Sequence, residues 1–80
     1  KYMSPADVKN LLLMELKNCE VTVEGNGSHF EIGVTGEVFS GLGPVQRQQL
    51  VYAVLRAHIS DGSIHAVNMK TFTPEEMQSQ

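Results

Sequence analysis

The chain has 80 residues, 41% of them hydrophobic and 19% charged, with one cysteine, no tryptophan and a formal charge of -3 from nine acids against six bases. A chain of this length removes only about 60% of its unfolded surface from water, so it makes one domain whose stability lies near the low end of roughly 5–15 kcal/mol, with little to spare for a deep active site. A lone cysteine makes no internal disulfide and points to a reducing, cytoplasmic compartment. The longest apolar run, Leu11-Leu12-Leu13-Met14, falls far short of the ~20 residues of a membrane span. Net acidity argues against binding driven by backbone phosphates alone and leaves any nucleic-acid role to a local basic patch. Lys1-Tyr2-Met3 reads as an initiator methionine behind a two-residue vector scar or a disordered end, with the domain spanning residues 4–80.

Ser4-Pro5-Ala6-Asp7 opens a helix: serine caps free amides, proline suits the first helical position, and aspartate favours the positive end of the dipole. Val8, Leu11, Leu12 and Leu16 recur at helical spacing, which predicts an amphipathic helix ending near Asn18 and in need of a sheet to cover. Glu20 to Glu24 alternates polar and apolar, Gly25-Asn26-Gly27-Ser28 supplies turn residues, and His29 to Thr35 alternates again. This is a β-hairpin. Val21, Val23, Phe30, Ile32 and Val34 share its inner face, and His29, Glu31, Gly33 and Thr35 point away from the core.

Residues 36–44 hold three glycines and one proline around Val38, Phe39 and Leu42, an irregular connection pinned by a few apolar side chains. Pro44 starts a second helix with Val51, Val54, Leu55 and Ile59 inward, Gln46, Arg47, Gln48, Gln49 and Arg56 mostly outside, and Asp61-Gly62 as its stop. Ile64 to Phe72 is a third strand, apolar enough to be central or semi-buried. Thr73-Pro74-Glu75-Glu76 opens a short third helix through a capping box between Thr73 and Glu76. The order is α-β-β-α-β-α. Strand-helix-strand crossovers place the third strand parallel to the second, giving an α/β (α+β) domain with a three-stranded mixed sheet and helices on one face.

Few residues carry chemistry. His29, His58 and His65 are the neutral-pH nitrogen ligands and Cys19 the single thiol; spacings of 29 and seven residues between the histidines match no zinc signature. A metal centre would therefore be built by the fold or shared with another chain. His58 has an ordinary explanation as a charge favourable to a helix C-terminus, and Cys19 reads as a small structural apolar residue. His65 opens the third strand, where an imidazole is exposed beside a rigid backbone. No serine is flanked by glycines as a nucleophile elbow requires, and Glu20, Glu24 and Glu31 read as a solvated face, so the chain is not read as an enzyme. Gly33-Val34-Thr35-Gly36 spells the backbone-clamping GxxG of KH domains but falls at a strand end without a lysine or arginine. Arg47 and Arg56, nine residues apart on one helix, offer a weak contact to phosphate or to an acidic partner.

Taken together, Gly27-Ser28-His29-Phe30, Phe39-Ser40-Gly41, Gln48-Gln49-Leu50-Val51-Tyr52, Ile64-His65-Ala66-Val67 and Thr73-Pro74-Glu75-Glu76 resemble the BolA family, most closely its bacterial IbaG (YrbA) branch, from about Ser4 to Met77. The resemblance implies a compact fold of the class II KH type. It implies a monothiol glutaredoxin as partner, with a bridging 2Fe-2S cluster shared with that glutaredoxin and glutathione, and no cofactor on the isolated chain, itself a monomer or weak homodimer. The family's C-terminal histidine ligand falls on His65. The second ligand, cysteine or histidine, comes from the hairpin loop, where eukaryotic relatives carry cysteine and this chain has Asn26; His29 is the nearest candidate. Arg47-Gln48-Gln49 stands where classical members have Arg-His-Arg, and Met77 where they have tryptophan. Both departures weaken the alternative of a nucleic-acid-binding regulator using Arg47 and Arg56.

Overall fold

Ser4 begins the first helix as a reciprocal cap. In the computed structural model, which describes residues 3–26 and 29–79, its hydroxyl accepts the Asp7 N–H at 3.1 Å and the Asp7 carboxylate accepts the Ser4 N–H at 3.2 Å. Helix α1 spans Pro5–Glu15 and stops short of the expected Asn18. Leu16 already has extended backbone angles and is buried, and Asn18 takes a left-handed φ of 61°, a conformation asparagine tolerates better than most residues. The early stop lets Leu16 join the core while the chain reverses into the sheet. Met3 packs against the same core, and its N–H donates to the Ser63 carbonyl at 3.4 Å.

Strands β1 (Glu20–Asn26) and β2 (His29–Thr35) pair antiparallel, from Glu20 opposite Thr35 to Asn26 opposite His29. Gly25 and Asn26 therefore belong to β1 and not to the turn; Gly27 and Ser28, which complete the expected turn, lie outside the described residues. Gly25 permits the close approach of Phe30, whose Cδ1 would lie 2.8 Å from a Cβ at that position. The expected irregular connection contains one 3₁₀ turn, Glu37–Phe39, which drives Phe39 fully into the core.

Helix α2 (Pro44–Ser60) carries the chain back across the sheet, and β3 (Ala66–Phe72) pairs parallel with β2, from His29 opposite Ala66 to Thr35 opposite Phe72. The strand order is β1-β2-β3, so β2 is central and β3, expected to be central or semi-buried, is a semi-buried edge strand. It also begins two residues later than the expected Ile64, which is itself fully buried ahead of the strand. Helix α3 (Pro74–Gln78) closes the described chain, with the Thr73–Glu76 capping box formed at 3.1 and 2.9 Å.

Strand alternation sorts the sheet into two faces. Val21, Phe30, Ile32 and Val34 are buried with Val8, Leu12 and Leu16 from the α1 region, Val51 and Leu55 from α2, and Phe39 and Ile64 from the connections. Glu20, Thr22, Glu24, His29, Glu31, Asn68 and Lys70 are exposed on the opposite face. Among the described residues no helix is long and apolar enough to cross a membrane.

Phe39 is fully buried, and the Arg47 guanidinium that bonds the Leu42 carbonyl lies 5.9 Å from its ring centroid, so loss of the ring leaves a cavity in the core. Phe39→Ala should cost about 3–5 kcal/mol, read as a lower urea midpoint. Val45→Ala, at a position 66% exposed, should change stability by less than about 0.5 kcal/mol.

Candidate functional site

Two histidines that are 36 positions apart in the chain meet at one end of the sheet. His29 is the first residue of β2, and its backbone is set by pairing with Asn26 on one side and Ala66 on the other. His65 immediately precedes β3, so the parallel register delivers it beside His29. It lies one residue outside the strand that the sequence reading gave it. The approach to His65 is well determined. Gly62 adopts φ 86°, the Asp61 carboxylate accepts the Ser63 N–H at 2.8 Å, the Ile64 N–H donates to the His58 carbonyl at 3.0 Å, and the Ile64 side chain is buried. The two imidazoles are exposed, with ring centroids 5.3 Å apart and planes tilted by 31°. A depression lined by His29, Phe30, Glu31, Ala66, Val67 and Asn68 lies beside them.

This donor set fits half of a transition-metal centre. Two imidazoles on one tetrahedral ion, with metal–nitrogen distances of about 2 Å, have ring centroids on the order of 5 Å apart, close to the separation seen. Among the described residues no cluster of three or more histidine, cysteine or acidic side chains completes a metal site. His58 is half-buried at the C-terminus of α2. Cys19 sits at the opposite end of the hairpin: a Cβ on Gly36, just past the end of β2, would collide with its sulfur. Its thiol donates to the Lys17 carbonyl at 3.6 Å, and burial raises its pKa, so it stays a protonated packing group. Thiolate ligands for the histidine pair would have to come from another molecule.

The arginines of α2 have separate fates. Arg47 is not mostly outside as its helical position suggested: its side chain is 13% exposed and donates to the two oxygens of the Glu76 carboxylate at 2.7 and 3.1 Å. Its Nε donates to the Leu42 carbonyl at 2.9 Å, and the guanidinium lies 5.9 Å from the Phe39 ring centroid. It joins α2, the connection and α3 in one clasp. A pairing over 29 residues leaves no local sequence signal; the legible part was the capping box that holds Glu76. Arg56 remains exposed beside Tyr52 and Ile59. Gly33 to Thr35 of the GxxG sequence lie within β2 and form no loop for a phosphate backbone.

A mixed three-stranded sheet with its helices on one face and a histidine pair at the β2/β3 end defines a small α+β domain of the BolA type. Residues 10–76 match the model of the BolA-like protein family, and the chain belongs to that family. It is 42% identical over 74 residues to the acid stress protein IbaG of Escherichia coli K12, covering 92% of this chain and 88% of the relative. Among solved structures, a bolA protein homologue from Coxiella burnetii superposes with a TM-score of 0.84 at 35% identity, covering 95% of this chain and 97% of the other. BolA1 from Arabidopsis thaliana gives 0.78 at 28% identity, covering 90% and 93% respectively.

The clasp makes a pH prediction. The hydrogen bond from Arg47, reinforced by the Thr73 N–H, holds the Glu76 carboxyl at about 2, down from its ordinary 4.5. A depressed carboxylate contributes stability that is complete above the unfolded-state pKa and is lost as pH falls through the folded one. The contribution should therefore persist at pH 5 and disappear between about 4.5 and about 2. Glu76→Gln should lower the melting temperature at neutral pH, and the gap from the parent protein should close across that window in thermal melts.

Proposed function

We propose that this protein is a non-enzymatic adaptor that offers His29 and His65 to a 2Fe-2S cluster shared with a monothiol glutaredoxin. The observation that carries this reading is the exposed imidazole pair, 5.3 Å between centroids, with His29 on paired backbone and His65 immediately ahead of β3. Thiolates of the glutaredoxin and of glutathione would supply the remaining ligands. Histidine in place of cysteine on one iron raises the reduction potential of such a cluster. His29 is oriented by the β2 backbone on both sides, and His65 by the turn from Asp61 to Ile64. The backbone at both positions is thus set before a partner docks.

Metal ligation requires the neutral imidazole, so a histidine-held cluster is released as the medium turns acidic. That supports a role in iron or acid-stress response within a reducing, cytoplasmic compartment, in keeping with the acid stress named for the E. coli relative. A nucleic-acid-binding role has less support, since Arg47 is already ion-paired and the chain carries a net charge of -3.

The purified protein should be colourless, and mixing it with cluster-loaded monothiol glutaredoxin should change the visible absorption and circular dichroism. His65→Ala should abolish that change, and His29→Ala should shorten the lifetime of the cluster in the complex. An unaltered spectrum and lifetime in both variants would falsify the ligand assignment.

A further inference from the structure

The depression beside the histidine pair has a charge of its own. Strand alternation and register build it: on the outer face His29 stands opposite Ala66, and one row further Glu31 stands opposite Asn68. The methyl group of Ala66 fills little of the space between the two rows. Glu31 and Asn68 are both exposed, and the lining holds one carboxylate and no base. Among the described residues the salt bridge is that of Arg47 with Glu76, so Glu31 has no ion-pair partner. Glu24 faces Glu31 directly across the β1/β2 pair, an opposition of like charges that costs stability. Lys70 lies opposite Gly33, a row further from the histidines, and lines the neighbouring groove instead.

On the reading that the histidine pair shares a cluster with a thiolate-bearing partner, we infer that this depression receives a lysine or arginine side chain of that partner. Glu31 is the counter-ion, and the Asn68 carboxamide oxygen is a second acceptor. The chemistry of the missing ligands selects the occupant. Protein sites that keep cysteine as a thiolate near neutral pH are electropositive, so a surface that brings thiolates to His29 and His65 brings positive charge with it. Glu31 waits about 7 Å along the strand from His29. Among the described residues it joins the two histidines in no three-ligand metal group, which leaves its carboxylate for docking. A cation there also relieves the opposition of Glu24 and Glu31. An acidic partner would set its own charges against both, and a second copy of this chain brings no thiolate, since Cys19 is packed against Gly36 at the far end of the hairpin.

The test measures the affinity of cluster-loaded monothiol glutaredoxin at two salt concentrations for the parent protein, Glu31→Gln and Glu31→Lys. Glu20→Lys is the control, because Glu20 is exposed on the same face at the opposite end of β1. Glu31→Lys should weaken binding by about tenfold and Glu31→Gln by about threefold, whereas Glu20→Lys should weaken it far less. The salt dependence should flatten in Glu31→Gln. The visible spectrum at saturation should match the parent's in every variant, since both histidines remain. Exchanging the lysines and arginines that flank the glutaredoxin thiolate for glutamate, one at a time, should find one that restores the affinity of Glu31→Lys. Parent-like affinity in both Glu31 variants, equal weakening by Glu20→Lys, or no restoring exchange would each overturn the docking role and leave the histidine assignment standing. No spectral change with the parent protein would instead overturn the shared-cluster reading, and the docking site with it.

Discussion

Parallel pairing of β2 with β3 is the constraint on which the rest of the molecule depends. Its register, His29 opposite Ala66 through Thr35 opposite Phe72, decides which residues meet at each end of the sheet. At the leading end it sets His65 beside His29. At the trailing end it sends the chain from Phe72 into the Thr73 cap, which aims Glu76 at Arg47. A register shifted by one residue would turn Val67 and Met69 outward and would separate the imidazoles.

A parallel pair needs a long crossover, and here α2 supplies it. Its buried residues Val51 and Leu55 cover the sheet beside Leu12 of α1, while its other faces stay available. The clasp of Arg47, Glu76, Leu42 and Phe39 ties that helix to both the 3₁₀ turn and the last helix. A small domain thereby anchors two connections without a disulfide. The same helix leaves β3 incompletely covered, because β2 occupies the centre of the sheet and β3 its rim. The histidine end and the clasp end are thus mechanically distinct: one presents side chains outward, and the other holds the chain together.

Size limits what such a domain does alone. Two imidazoles and one distant, protonated thiol are too few ligands for an iron-sulfur cluster held by this chain by itself. In the function proposed above, thiolates of a second molecule would complete the exposed pair.

Much of this was legible in the amino-acid sequence, because it rests on local chemistry. Ser4 with Asp7 and Thr73 with Glu76 announce helix starts through capping; alternation over residues 20–35 announces the hairpin and places His29 outside; Pro44 and Gly62 bracket α2. His29 was legible at the start of the second strand and His65 near the start of the third, but that the two rings meet was decided by the parallel register. Other features required the folded chain. The stop of α1 at Glu15 depends on the core demanding Leu16 in an extended conformation. The edge position of β3 depends on strand order, to which its own apolar composition is blind. The burial of Arg47 depends on a carboxylate 29 residues away. Periodicity and capping are set by residues within one or two turns of each other, so sequence determines them by itself. Register, strand order and long-range ion pairs are set by which distant surfaces pack together, and only the tertiary structure decides those.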